Sequence, residues 1–152
     1  MIPKEIHDYL KAISYTPGDL VPEHDAIAGV VIKDKKMLML DHVKYNFWTI
    51  PIGKVDPGQT TEEGLKMELK EEVNITPLKY KQIGSFVYHD VRQGKKIVIT
   101  TYIYLIIKWK GVVKNMEPKK HRSIKWMTMK EVKATKKLSD STKQTLKVIK
   151  TL

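Results

Sequence analysis

The chain has 152 residues, no cysteine, and 28 basic against 17 acidic side chains, which gives a formal net charge of +11. This length suits one compact domain, and the lack of cysteine excludes disulfides and thiolate metal sites. No apolar run approaches the roughly 20 residues that span a bilayer, so we expect no membrane partner. The lack of cysteine favours a cytoplasmic protein. Only Arg92 and Arg122 are arginine, a bias that fits an AT-rich genome. A viral protein of this kind would act in the host cytoplasm.

The first third of the chain alternates apolar runs with turn residues, which predicts strands after an N-terminal helix. The helix is predicted at residues 1–13 and a loop rich in Pro, Gly and Asp at 16–25, and we assign residues 1–24 to the N-terminal helix and loop. The elements expected next are a buried strand (26–32), a strand after a DKK turn (37–40), a short strand ending at Pro51 (46–53), and a loop with two glycines (53–60).

A helix is predicted from about Thr61 to Val73, because Thr60 and Glu63 form a capping-box pattern. Asn74 is a plausible end for this helix. Its apolar stripe consists of Leu65, Leu69 and Val73.

The second half of the chain predicts three more strands and two more helices. These are strands at 81–89, 95–110 and 123–128, a short helix after the capping box of Thr128 and Glu131, and a basic helix at 139–152. In the last helix, Leu146 and Ile149 are expected to face the core. Since strands and helices do not alternate strictly, we expect a mixed sheet flanked by helices.

The basic charge is concentrated at one end of the sequence. Residues 1–107 carry equal numbers of acidic and basic side chains, whereas residues 108–152 carry 14 basic and three acidic ones. The last helix presents Lys143, Lys147 and Lys150 on the side opposite its apolar residues. Such asymmetry indicates either a polyanionic partner such as RNA or a solubilising surface.

Three glutamates, Glu68, Glu71 and Glu72, share one face of the helix at 61–73. Like charges at this spacing repel by a few tenths of a kcal/mol per pair. The glutamates are either a solvated face mixed with lysines or a functional cluster. Gly64 lies on the same face, where the lack of a side chain would leave room for a metal or phosphate.

The loop before this helix, GKVDPGQT, is close to a phosphate-binding P-loop, but Gln59 stands where that motif needs lysine. Loop and helix together, residues 53–75, resemble the Nudix box, G-x5-E-x7-R-E-U-x-E-E-x-G-U with U a bulky aliphatic residue. The matching residues are Gly53, Glu68, Leu69, Glu71, Glu72 and Ile75; the departures are Gln59, Met67 and Asn74.

The flanking sequences extend the resemblance over residues 26–132. FWTIPIGKV is similar to the W-x-x-P-G-G-K segment of the family, with Ile52 in place of the first glycine, and residues 116–132 are similar to its late segment. The resemblance implies a single domain over residues 1–152, folded as an α/β/α sandwich with a mixed sheet.

The implied activity is Mg²⁺- or Mn²⁺-dependent hydrolysis of a pyrophosphate bond in a nucleoside diphosphate linked to another group. Substrates implied by the family include ADP-ribose, NAD(H), FAD, dinucleoside polyphosphates and nucleoside triphosphates. One alternative is RNA 5′-end processing, by removal of an NAD cap or a triphosphate. Another is a catalytically weakened domain that only binds nucleotide or RNA, since Gln59 and Met67 depart from the pattern.

The resemblance also assigns site residues. Glu68 and Glu72 would be the main metal ligands, together with the Gly53 carbonyl. Glu71 would join them or hold water. Gln59 would take the place of a charged residue in the metal cluster. A box glutamate or Glu117 would be the general base. Lys54, Lys143, Lys147 and Lys150 are the candidate substrate or RNA contacts. The five histidines lack ligand spacing and are expected at the surface or in satisfied polar contacts.

Overall fold

The computed structural model describes residues 20–92 and 94–150, and within them seven strands and three helices. The elements are β1 Leu20–Lys33, β2 Lys36–His42, β3 Phe47–Thr49, β4 Ile52–Lys54, α1 Thr61–Val73, β5 Thr76–Arg92, β6 Lys95–Lys110, β7 His121–Thr128, α2 Met129–Ala134 and α3 Asp140–Ile149. The helix predicted at 1–13 lies outside the described residues. That residues 1–152 form a single domain stays a prediction.

The strands form one mixed sheet, as expected. Its order is β3-β2-β1-β6-β5, with β4 also paired to β1 and β7 to β2. β1 and β6 run parallel, whereas the other pairs are antiparallel. The turn between β1 and β2 holds Asp34 and Lys35 at φ of 51° and 63°, the geometry of a two-residue hairpin turn that suits the sheet twist.

Three strand predictions were wrong in their bounds. The strand predicted at 81–89 is part of β5, which runs from Thr76 to Arg92 because it pairs with β6 over that length. The predicted loop over residues 16–25 is strand from Leu20 onward, because the chain there pairs in register with β6 from Lys96. The predicted strand at 46–53 is divided into β3 and β4 around Pro51. Proline has no N–H to donate to a ladder, and its carbonyl instead accepts a hydrogen bond from the N–H of Gly29 at 2.9 Å.

The sheet is covered on both faces, which gives the predicted α/β/α sandwich. On one face, the α1 side chains Leu65, Leu69 and Val73 are fully buried against Ile27 and Val31 of β1, Leu38 and Leu40 of β2, and Tyr104 and Ile106 of β6. On the other face, Leu146, Val148 and Ile149 of α3 pack against a core that includes Ala28, Val30, Met37 and Met39. The alternation of side chains along β1 and β2 therefore separates α1 from α3.

The predicted bounds of α1 are confirmed. The Thr60 hydroxyl accepts a hydrogen bond from the Glu63 N–H at 3.1 Å, and the Glu63 carboxylate accepts one from the Thr60 N–H at 3.0 Å. Asn74 ends the helix with φ of 65° and donates its N–H to the Leu69 and Lys70 carbonyls. Gly29 lets the helix approach the sheet, since a Cβ there would lie 3.3 Å from Leu69.

The second capping box, of Thr128 and Glu131, is also confirmed and begins α2. Ser139 caps α3, and its hydroxyl accepts a hydrogen bond from the Thr142 N–H at 3.1 Å. None of the helices within residues 20–92 and 94–150 is long and apolar enough to cross a membrane.

Candidate active site

The three glutamates of α1 lie in three different environments. Glu72 is 1% exposed, Glu68 is partly buried, and Glu71 is exposed to solvent. The Glu68 and Glu72 carboxyl groups lie near enough to influence each other's pKa. One turn of helix therefore turns two carboxyl groups inward as a pair and leaves the third outside.

Gly53 lies directly beneath the Glu68 side chain. A methyl group on the Gly53 Cα would overlap the Glu68 carboxylate, so only glycine permits this approach. β4 holds Gly53 in place by pairing it with Ile27 of β1. The structure thus brings together two residues that the sequence places 15 positions apart.

Gly64 has a different role from the expected one. A Cβ at Gly64 would lie 3.1 Å from the Val55 side chain, and both residues are buried. The space beside this glycine is occupied by Val55, which packs the loop against the helix. The expectation that Gly64 leaves room for a metal or phosphate was wrong.

The segment that follows β6 returns to the C-terminal end of α1. The Met116 N–H donates to the Glu72 carbonyl at 3.0 Å, and the Asn115 side-chain amide donates to the His121 carbonyl at 2.8 Å. The Glu117 carbonyl accepts hydrogen bonds from the N–H groups of Lys120 and His121, both at 2.9 Å. This turn positions Glu117 and Lys120 beside the carboxyl pair.

Lys120 forms an ion pair with Glu72, with 3.2 Å between the Lys120 Nζ and the Glu72 Oε1. The other carboxyl oxygen of Glu72, Oε2, is buried and has no hydrogen-bond partner. Glu68 and Glu117 lie close enough to act on the same ammonium group. One carboxyl group therefore contacts this cation, and two more lie near enough to interact with it electrostatically.

Burial and the neighbouring charges together shift the pKa values of Glu72, Glu68 and Lys120. Burial raises the pKa of Glu72 to about 8, although Lys120 opposes the shift, and the neighbouring Glu68 and Glu117 add to it. Burial also raises the pKa of Glu68, with Glu71 and Glu117 contributing. Burial alone would lower the pKa of Lys120, but the charges of Glu72, Glu117 and Glu68 outweigh it and raise that pKa.

The carboxyl pair has the chemistry that a magnesium site needs. Hard oxygen ligands with negative charge are present at this site. They are the unpartnered buried oxygen of Glu72, the carboxylate of Glu68 and the backbone of the glycine beneath it. In the described part of the chain, no three acidic or histidine side chains converge as a ready-made metal cluster. The fit is that of an ion held by two carboxylates and shared with water and substrate phosphates, which Mg²⁺ prefers.

A cleft of about 540 Å³ opens beside Glu72. Its charged lining comprises Glu72, Lys44, Lys119 and Lys120, and its rings are those of His42, Tyr45 and His121. The Lys44 ammonium lies 5.3 Å from the centre of the Tyr45 ring, and the His42 and His121 rings are 5.6 Å apart. This volume lies in the range of small-molecule sites.

The expectation that the histidines lie at the surface or in satisfied polar contacts was wrong for His121. Its side chain is 1% exposed, and its Nδ1 has no hydrogen-bond partner. Burial, with Lys120 and His42 nearby, lowers the pKa of His121 to about 4. Burial and the same lysine, together with Lys44, lower the pKa of His42. Both imidazoles are therefore neutral at the cleft.

The Gln59 side chain is hydrogen-bonded through both its oxygen and its nitrogen. Its Oε1 accepts a hydrogen bond from the Asp56 N–H at 3.0 Å, and its Nε2 donates to the Met67 Sδ at 3.4 Å. The two departures from the family pattern thus contact each other. Gln59 holds the loop through these contacts, and its place in the metal cluster, which the resemblance assigns, stays a prediction.

The remaining candidate cations lie away from the cleft lining. Lys54 is an exposed residue at the end of β4. Lys143, Lys147 and Lys150 are exposed on or just after α3, on the opposite side of the sheet from α1. The cations that line the cleft are instead Lys44, Lys119 and Lys120, and two of these follow Glu117 in the motif MEPKKH.

A sheet between helices, an acidic pair at one helix and a basic cleft beside it form the kind of site that suits an enzyme acting on phosphate compounds. The comparisons with known proteins identify the family. The NUDIX domain model matches residues 22–148, and the chain belongs to this family as a Nudix pyrophosphohydrolase.

Among curated proteins, an 8-oxo-dGTP diphosphatase of Buchnera aphidicola subsp. Schizaphis graminum is 29% identical over 111 residues, covering 70% of this chain and 78% of the relative. Among solved structures, the MutT NUDIX hydrolase from Burkholderia pseudomallei has a TM-score of 0.71 at 20% identity, covering 83% of this chain and 97% of that one. The MutT protein from Bacillus halodurans has a TM-score of 0.69 at 21% identity, covering 82% and 80%. These structures share the fold.

Proposed function

We propose that this chain hydrolyses a nucleoside triphosphate to the nucleoside monophosphate and diphosphate, with Mg²⁺ or Mn²⁺ as cofactor. Water adds across one phosphoanhydride bond, and the two phosphate products leave separately. The observation that carries the proposal is the cleft beside Glu72, which three lysines line. A triphosphate carries more negative charge than a diphosphate diester, so it gains more from three cations.

Glu68 and Glu72 would hold the metal together with the Gly53 carbonyl. A bound metal of this kind neutralises phosphate charge and makes water more acidic. Glu117, partly buried beside the pair, accepts the proton of the attacking water, and Lys44 and Lys119 hold the phosphates. Tyr45, which is 59% exposed, offers its ring to the nucleobase.

The curated relative also supports the proposal, because its name assigns it to 8-oxo-dGTP. The substrates that the sequence suggested first, ADP-ribose, NAD(H), FAD and dinucleoside polyphosphates, stay predictions, as do magnesium dependence and cytoplasmic location. RNA 5′-end processing has less support, because the α3 lysines on which it depended lie on the far side of the sheet.

A substrate panel with saturating Mg²⁺ tests the proposal. It contains 8-oxo-dGTP, dGTP, ATP, ADP-ribose, NAD and diadenosine tetraphosphate, with separate detection of diphosphate and monophosphates. We expect the highest kcat/KM for a triphosphate, and diphosphate as the product. A preference for ADP-ribose or NAD of tenfold or more would contradict the proposal. The variant Glu72→Gln is the control for contaminating phosphatases.

A further inference from the structure

We propose that Lys120 is an internal cation that competes with the divalent metal for the Glu72 carboxylate. The inference rests on the proposed metal site at Glu68 and Glu72. It adds a residue that no motif of the sequence assigned, and a consequence for how tightly the site binds metal.

The contact geometry places the ammonium group at the carboxylate that the metal needs. The Lys120 Nζ lies 3.2 Å from the Glu72 Oε1, while Oε2 of the same carboxylate is buried without a partner. A metal ion and the Lys120 ammonium group would both be stabilised by the negative charge of the Glu72 carboxylate. Because like charges repel strongly at such short range in a partly buried site, occupancy by one opposes occupancy by the other.

The exposure of the two partners makes the exchange feasible. Glu72 is 1% exposed and fixed in the helix, whereas the Lys120 side chain is 42% exposed and lines the open cleft. A lysine has a flexible four-carbon stem with a compact charge, so it can leave the carboxylate without unfolding its segment. The backbone hydrogen bond from Lys120 to the Glu117 carbonyl keeps the turn in place when the side chain moves.

The protein without Lys120 should therefore bind metal more tightly and fold less stably when metal is removed. The buried carboxylate of Glu72 would lose its only ion-pair partner among the described residues, which is costly for a buried charge. A bound metal ion would restore a positive charge beside the Glu72 carboxylate and so recover the lost stability. A lysine that only holds the turn would lower stability equally with and without metal.

The experiment measures Mn²⁺ and Mg²⁺ binding without substrate by isothermal titration calorimetry, for wild type, Lys120→Met, Lys120→Arg and Lys119→Met. We expect Lys120→Met to bind metal about 5- to 10-fold more tightly, a coupling in the usual range between two sites. Lys120→Arg should stay near wild type because it keeps the cation. Lys119 lines the same cleft without an ion pair among the described residues, so Lys119→Met reports the general effect of one charge and should change affinity less than about twofold.

Thermal denaturation with EDTA and with saturating Mn²⁺ provides the second measurement. We expect Lys120→Met to melt below wild type in EDTA and to gain more than wild type from Mn²⁺. If wild type binds metal and Lys120→Met binds it equally or more weakly, the competition is overturned and the metal site stands. If wild type binds no metal with EDTA removed, the proposed site and this inference both fail.

Discussion

At the scale of single residues, Glu72 is set apart from its two neighbours by burial. The helix spacing gives Glu68, Glu71 and Glu72 one face, but only Glu72 is enclosed, at 1% exposed. A carboxylate that is buried with one unpartnered oxygen is costly unless a cation is present. The free-energy cost of burying this carboxylate indicates a functional site, because glutamates on a solvent-exposed helix face would not incur it.

Replacing Glu72 by glutamine should lower hydrolysis by about 100-fold or more, since the site loses a metal carboxylate. The free energy of unfolding without metal should stay equal or rise, because an amide in the buried position carries no charge. Steady-state kinetics with saturating Mg²⁺ and thermal denaturation in EDTA measure the two effects. The matched control is Glu71→Gln, which removes an exposed charge from the same face and should cost less than about tenfold. Equal losses in both variants would contradict the assignment.

Gln59 and Met67 form the second residue-scale feature, because they replace the glutamate and arginine of the family pattern with a neutral contact. The Gln59 Nε2 donates to the Met67 Sδ at 3.4 Å, and both side chains are partly buried. Introducing one charge alone would leave it without a partner. Gln59 and Met67 therefore replace the charged pair of the family pattern together, as one neutral contact.

We expect Gln59→Glu and Met67→Arg each to lower the free energy of unfolding by about 1 kcal/mol, and the double variant to recover most of it. The coupling between two residues in contact is typically about 0.5–3 kcal/mol. Urea denaturation of wild type, both single variants and the double variant measures this coupling. Additive losses, with no recovery in the double variant, would show that the neutral contact does not link the two positions.

At the scale of elements, α3 is separated from the site by the sheet. Its partly buried side chains pack on the face opposite α1, and Val148 approaches Gly84 of β5 so closely that a Cβ there would lie 2.8 Å from it. Its lysines are consequently directed to solvent beyond the sheet. The lysines of α3 and the lysines of the cleft are therefore two separate groups, although Lys119 and Lys120 of the cleft also belong to the basic residues 108–152.

Converting Lys143, Lys147 and Lys150 together to glutamine should leave kcat/KM within about twofold, since exposed substitutions away from a site are usually small in effect. The double variant Lys44→Gln with Lys119→Gln is the comparison, and it should raise KM because it removes two cleft cations. Both are measured on a nucleoside triphosphate and on triphosphorylated RNA over a range of salt. Each phosphate contact on a single strand contributes about −0.7 to the slope of log K against log salt concentration. A shallower slope for RNA in the triple variant would show that the α3 lysines contact the RNA substrate.

At the scale of the whole molecule, acid stability should depend on His121. Its pKa is lowered to about 4 from 6.5 by burial, with Lys120 and His42 contributing. The His121 imidazole binds a proton below about pH 6.5 in the unfolded chain, but only below about pH 4 in the folded chain. Stability is therefore lost as pH falls through this window, by at most about 3 kcal/mol from this group.

The variant His121→Phe keeps a ring and removes the titration. We expect its free energy of unfolding to fall less than that of wild type between pH 6.5 and pH 4, measured by urea denaturation at each pH in EDTA. The difference between the two curves isolates His121 from the carboxyl groups, which titrate in both proteins. Parallel curves would show that His121 does not carry the acid sensitivity.

The sequence determined the features that depend on neighbours along the chain. The capping boxes at Thr60 and Thr128, the end of α1 at Asn74 and the apolar stripe of α1 were predicted correctly, because each arises within one or two helical turns. The mixed sheet and its cover of helices followed from the order of elements, and the family followed from the resemblance of residues 53–75 to the Nudix box.

The tertiary structure alone decided which charges meet. Lys120 lies 48 positions after Glu72, and their contact exists only because the turn after β6 hydrogen-bonds to the end of α1. The extension of β1 back to Leu20 likewise depends on its distant partner, β6. Burial separated Glu72 from Glu71, and side-chain alternation in the sheet placed α3 opposite α1. Each of these outcomes depends on contacts between residues far apart in the chain, which local spacing does not specify.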